Sequence, residues 1–104
     1  MKTLALSAFA AAIVFAGAQA PAQQTHTITI ENLRFEPQTL TVKRGDRVVW
    51  ANKDLVPHTA TAAKSFDSHD IAANASWTYT ARTPGRYDYM CTLHPMMKAR
   101  LVVE

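Results

Sequence analysis

The sequence predicts an all-β domain, a sandwich of two sheets, on three observations. Beyond the first 22 residues apolar side chains recur with period two in short runs, helical periodicity is hard to find, and turn residues bound each run. Period two sends successive side chains to opposite faces of a strand, so each run has one face to bury and one to leave in water. Many short strands of this kind bury their apolar faces by stacking two sheets about 10 Å apart. The pairing is expected to be antiparallel, as is common for sandwiches of this size.

The first strand is HTITIEN, where Ile28 and Ile30 alternate with threonines. QTLTVKRGD follows, with Leu40 and Val42 on one face and a stop at the turn Arg44-Gly45-Asp46. RVVWAN sets Val48 and Trp50 together. Between Thr59 and Ala75 the pattern is least regular, and a loop or a short helix is expected there. SWTYTA places Trp77 and Tyr79 on one side and Ser76, Thr78 and Thr80 on the other. Pro84-Gly85 turns the chain into RYDYMC, in which Tyr87, Tyr89 and Cys91 share a face and Arg86 and Asp88 point the other way. ARLVVE closes the sandwich with Leu101 and Val103 inward. Trp50, Trp77, Tyr79, Tyr87 and Tyr89 all occupy inward positions and are expected in the core.

The N-terminal MKTLALSAFAAAIVFAGAQAPAQ has a basic residue at Lys2, an apolar run from Leu4 to Phe15 and small residues ahead of QQT. That is the layout of a secretory signal peptide. The run is too short for a membrane span, which needs roughly 20 residues. Residues 1–22 are therefore expected to be removed, with Pro21 disfavouring cleavage after Ala20, and residues 23–104 to form one folded domain in the periplasm. Without Lys2, ten Lys and Arg stand against eight Asp and Glu, which provides neither a nucleic-acid stripe nor a polybasic membrane patch. The single cysteine excludes an internal disulfide, and an exported thiol tends to oxidise unless something holds it.

That cysteine lies in CTLHPMM, with His94 three residues on and Met97 three beyond that. Cys91 and His94 offer a thiolate and an imidazole from one tight loop, and His58, in LVPHTAT behind Pro57, is the best donor of a second imidazole. Two imidazoles, a thiolate and a weak axial thioether describe a blue-copper electron-transfer site. Soft sulfur ligands suit Cu(I) and imidazole suits either oxidation state, whereas methionine is a poor partner for structural zinc. The candidate ligand set is His58, Cys91, His94 and Met97, with the adjacent Met96 a rival for the thioether. The remaining histidines, His26 and His69, belong to no such motif and read as surface residues. Arg44, Arg47, Arg82, Lys98 and Arg100 read as a solvated surface.

G-x-Y-x-Y-x-C-T-x-H-P-x-M from Gly85 to Met97, together with Pro57-His58, resembles the cupredoxins, and the short ligand loop is more similar to that of the amicyanins than to those of plastocyanin or azurin. The likeness runs from FEPQTLTVKRGDRVVWAN to the final LVVE. It implies a Greek-key β-sandwich with one type 1 copper at one end, no enzymatic activity, and single-electron carriage between larger redox proteins. A periplasmic dehydrogenase as donor and a c-type cytochrome as acceptor follow from the same resemblance, and a monomer is the default expectation. It also implies that His94 can leave the metal and take a proton in the reduced state. Thr59 departs from the pattern, which often has asparagine there to tie the ligand loops together; its hydroxyl has shorter reach. Pro95 has no N–H to offer the sulfur. Leu93, Pro95 and Met96, with Leu55 and Pro57, are expected to make an apolar docking face around His94. The alternative function is a Cu(I) carrier or chaperone, suggested by the methionine pair; a second copper site of an oxidase or reductase would have only His26 and His69 to draw on.

Overall fold

The computed structural model describes Thr3 and residues 22–104, and the segment read as a signal peptide, residues 1–22, otherwise lies outside them. Nine strands carry the described chain: β1 Thr25–Glu31, β2 Arg34–Glu36, β3 Thr39–Val42, β4 Arg47–Asn52, β5 Thr61–Ala62, β6 Phe66–Asp67, β7 Ser76–Thr80, β8 Gly85–Cys91 and β9 His94–Val103. They form a four-stranded sheet in the order β2-β1-β4-β7 and a five-stranded sheet in the order β3-β9-β8-β5-β6. The all-β sandwich is as the alternation demands. Ile28 and Ile30 of β1, Val48 and Trp50 of β4, and Leu101 and Val103 of β9 fill the space between the sheets, each contributing roughly 1.5–3 kcal/mol by leaving water.

The pairing departs from the antiparallel expectation, since β1 runs parallel to β4 and β3 parallel to β9. The reason lies between Glu36 and Thr39. β2 returns antiparallel along β1; two residues later β3 continues as an edge strand of the other sheet. After the turn at Lys43–Asp46, where Asp46 N–H donates to the Lys43 carbonyl at 3.0 Å, β4 comes back to the first sheet in the direction of β1. One strand thus divides between two sheets, a common way for sandwiches to turn a corner.

Two further differences concern weak patterns. The segment from Thr59 to Ala75 holds the small hairpin β5–β6 and no helix. It delivers Phe66, a buried ring that meets Tyr79 at 4.8 Å, Trp50 at 5.6 Å and Tyr89 at 5.9 Å between centroids. Trp50 and Tyr89 are buried as expected, whereas Trp77, Tyr79 and Tyr87 are only half-buried and close the margin of the core. Burial pushes the Tyr89 phenol far up and the Tyr79 phenol up as well.

The β1–β2 connection is a two-residue turn, Asn32-Leu33, with φ of 54° and 59°. Left-handed conformation at both central residues matches the twist of a tight hairpin. Asparagine tolerates it, but for leucine it costs roughly 1–2 kcal/mol.

Candidate metal centre

Cys91 and His94 are brought together by a hairpin. They end β8 and begin β9 as a directly opposed pair with only Thr92 and Leu93 between them, and a register irregularity at Met90/Cys91 re-aims the strand end. Opposed residues of an antiparallel pair place their Cβ atoms about 5 Å apart on the same face, so the Cys-x-x-His spacing aims thiol and imidazole at one point. The Cys91 Sγ lies 3.7 Å from His94 Nδ1.

His58 arrives from the long connection after β4. An isolated antiparallel bridge holds it: His58 N–H donates to the Ile71 carbonyl at 3.1 Å, and Ile71 N–H donates back at 2.7 Å. Its ring is fully buried, with Nδ1 3.6 Å from Cys91 Sγ, and its centroid is 4.9 Å from that of His94. The donor atoms of His58, Cys91 and His94 lie within 4.8 Å of one another. Nitrogen and sulfur ligands about 2.0 and 2.3 Å from a common metal would be about 3.5–3.7 Å apart at tetrahedral to trigonal angles, so the two S···N separations fit one small soft cation.

Burial separates the two methionines: Met97 is 4% exposed and Met96 is 87% exposed. Met97 is therefore on the interior side of β9, and Met96 faces solvent. Around this end Leu33, Leu55, Val56, Leu93 and Met96 are the exposed large apolar side chains. They include Leu55, Leu93 and Met96 of the expected apolar ring, and add Leu33 and Val56.

Thr59 does join the ligand loops. Its N–H donates to Cys91 Sγ at 3.3 Å, and its hydroxyl oxygen accepts the Thr92 N–H at 2.9 Å. The other partners were hidden in sequence. His58 Nε2 contacts the Asp54 carboxylate at 2.8 Å. Asp54 also accepts N–H bonds from Asn32 at 2.8 Å and Leu33 at 3.0 Å. Partial burial pushes the Asp54 carboxyl up, but the bonds from Leu33, His58 and Asn32 outweigh it and hold the group below the ordinary range. Buried Asn52 anchors the connection, its Oδ1 accepting Asp54 N–H at 2.9 Å and its Nδ2 donating to the Val56 and Ile71 carbonyls at 2.9 and 3.0 Å. A polar pair, Asn and Asp, directly after an apolar strand and ahead of a candidate ligand was the available signal.

His69 is an exposed residue 3.7 Å from Asp67, as read from sequence. His26 is not a plain surface residue: it is partly buried against Asp46, with Nε2 2.9 Å from the carboxylate. It lies on β1 beside the start of β4, at the end of the sandwich opposite the three converging groups.

Comparison with known proteins agrees with this geometry. Residues 4–103 match the cupredoxin-like domain family. The chain is 32% identical to amicyanin-alpha of Methylorubrum extorquens over an alignment of 106 residues, covering 96% of this chain and 88% of the relative. It is 32% identical to amicyanin of Paracoccus denitrificans over 104 residues, covering 94% of this chain and 74% of that one. A solved structure of a Cu(I) amicyanin variant superposes with a TM-score of 0.74 at 29% identity, over 80% of this chain and 85% of that one. The chain belongs to the cupredoxin-like family and is amicyanin-like within it.

Proposed function

We propose that this protein is a blue copper electron carrier whose single type 1 copper is held by His58, Cys91, His94 and Met97. The observation that carries the reading is the buried convergence of two imidazole nitrogens on one thiol at 3.6 and 3.7 Å, with a buried thioether three residues beyond the second imidazole. Bound copper would supply a one-electron Cu(II)/Cu(I) couple.

The chain's own residues account for the rest. The hairpin fixes Cys91, and the Ile71 bridge fixes His58, so these two donors need not rearrange between oxidation states. Thr59 N–H withdraws electron density from the sulfur. Pro95 adds no second donor, which leaves the thiolate electron-rich and favours the oxidised state. His94 is the one partly exposed member of the three, and the apolar side chains around it offer a surface that a partner can dry on contact. Electron-transfer encounters need little buried area. The protein acts as a carrier and not as an enzyme: its donor groups are enclosed, and only an imidazole edge reaches the surface.

Removal of residues 1–22 and work in the periplasm as a monomer complete the proposal, supported by the N-terminal segment; among the described residues no helix is long and apolar enough to cross a membrane. Larger redox proteins are the partners, with a periplasmic dehydrogenase as donor and a c-type cytochrome as acceptor. The test is the visible and electron paramagnetic resonance spectrum of residues 23–104 with one equivalent of Cu(II). An intense blue band with narrow copper hyperfine splitting, absent in Cys91→Ser, is expected. A colourless product with Cu(II) reduced on addition would replace this reading with that of a Cu(I) carrier.

A further inference from the structure

Resting on the copper-centre reading, a second element of the site can be assigned. An ionised carboxylate only accepts hydrogen bonds. Asp54 therefore requires the proton of His58 to sit on Nε2, 2.8 Å away, which leaves the Nδ1 lone pair facing Cys91 Sγ. The carboxylate is itself seated. Consecutive left-handed residues turn their N–H groups into one concavity that suits an anion, and the Asn32 and Leu33 N–H groups each take one oxygen of Asp54, at 2.8 and 3.0 Å. Asn52 fixes the Asp54 backbone from the other side at 2.9 Å. The left-handed Leu33, unfavourable by itself, is a local strain of the kind that persists when surrounding structure demands it.

We infer that Asp54, cradled by the β1–β2 turn, is the positioning residue that sets the tautomer of His58, and that this turn is consequently part of the metal centre. His94 has no such partner: among the described residues its ring makes no hydrogen-bond contact besides that with Cys91. One imidazole is held in a single protonation pattern and orientation by a charged group, while the other is held by its loop alone.

Asp54→Asn separates the roles. The carboxylate oxygen that contacts His58 Nε2 also accepts the Leu33 N–H, and the other oxygen accepts the Asn32 N–H, so an amide has one oxygen for two places. With the oxygen kept by the Asn32 N–H, the shorter of the two backbone bonds, the amide nitrogen faces His58 Nε2 and favours the tautomer whose proton sits on Nδ1, where a metal would bind. The experiment is ring-nitrogen NMR of the metal-free protein, residues 23–104 with selectively labelled histidine, at pH 8, followed by competition titration with Cu(II). The expected result is His58 wholly in the Nε2–H form in the unsubstituted protein, a shift toward Nδ1–H in Asp54→Asn, and Cu(II) affinity lower by about 10- to 100-fold, the usual effect of such outer partners. An even mixture of tautomers in the unsubstituted protein would overturn the inference, as would an Asp54→Asn protein with unchanged tautomer and affinity. If the variant does not fold, the tautomer of the unsubstituted protein decides. Failure to form a blue centre would overturn the electron-carrier reading and leave the tautomer result standing.

Discussion

Two histidine–carboxylate pairs stand at opposite ends of β4 and are built almost alike. Asp54 takes His58 Nε2 at 2.8 Å and two backbone N–H groups; Asp46 takes His26 Nε2 at 2.9 Å and two backbone N–H groups, from Gln24 and Lys43, both at 3.1 Å. Both bind a loop to a strand end. They differ in what lies behind the ring: His58 is fully buried with a thiol at 3.6 Å, and the His26 side chain is 24% exposed, at the end of the sandwich away from Cys91. The pair is a fastening, and it becomes part of a functional site only where a soft donor shares the other ring nitrogen.

Truncating the histidines breaks the comparison hardest. His58→Ala is expected to abolish the blue band and cost orders of magnitude in copper affinity. His26→Ala should leave the spectrum unchanged and lower the melting temperature of the metal-free protein by a few degrees. A shifted visible band in His26→Ala would mean that the two ends are coupled and the contrast is false.

Acid probes what the pairs share. The His26 contact and the Gln24 and Lys43 N–H bonds hold the Asp46 carboxyl below its ordinary value, as the corresponding bonds do at Asp54. A carboxyl with a depressed folded value contributes stability that is fully present above its unfolded value, near 3.8, and is lost as pH falls through the folded value. Urea unfolding of the metal-free protein should therefore show stability dropping below about pH 4, and Asp46→Asn should flatten that drop while being less stable at pH 6. An unchanged slope would show that Asp46 contributes nothing on acidification.

The smallest effect sharpens the comparison through a third pair. Arg100 and Asp88 meet at 2.7 Å, as closely as either histidine pair, but their side chains are 47% and 76% exposed, and no backbone N–H bonds to the carboxylate. Exposed pairs of this kind contribute little, so Arg100→Ala should leave the melting temperature unchanged within error. A drop as large as that of His26→Ala would mean that short contact distance, and not capping and burial, makes these fastenings.

The convergence of Cys91 and His94 was legible because hairpin register is a local property: the two flank two residues, and strand alternation tells which way the thiol faces. The buried alternation at Ile28, Ile30, Val48 and Trp50 was legible for the same reason. Periodicity names a residue's face and not its neighbouring strand, so the parallel pairings of β1 with β4 and β3 with β9 could not be read. β5 and β6 are two residues each, too short to show any period. Nor does Leu33 carry a turn signal: leucine is a poor left-handed residue, and only the carboxylate 21 positions away accounts for its conformation. The Asp46–His26 pair, 20 residues apart, escaped for a like reason.

The parallel pairing of β3 with β9, Thr39 opposite Arg100, governs the order in which a nascent molecule can be completed. A chain emerging N-terminus first from a ribosome or a translocation pore can zip β1 to β2 early, but its five-stranded sheet has an empty lane until the last ten residues of strand have cleared the exit. Such distant pairings are the slow steps of folding. The thiol and the second imidazole travel with that final segment, so the cation-binding end is assembled last.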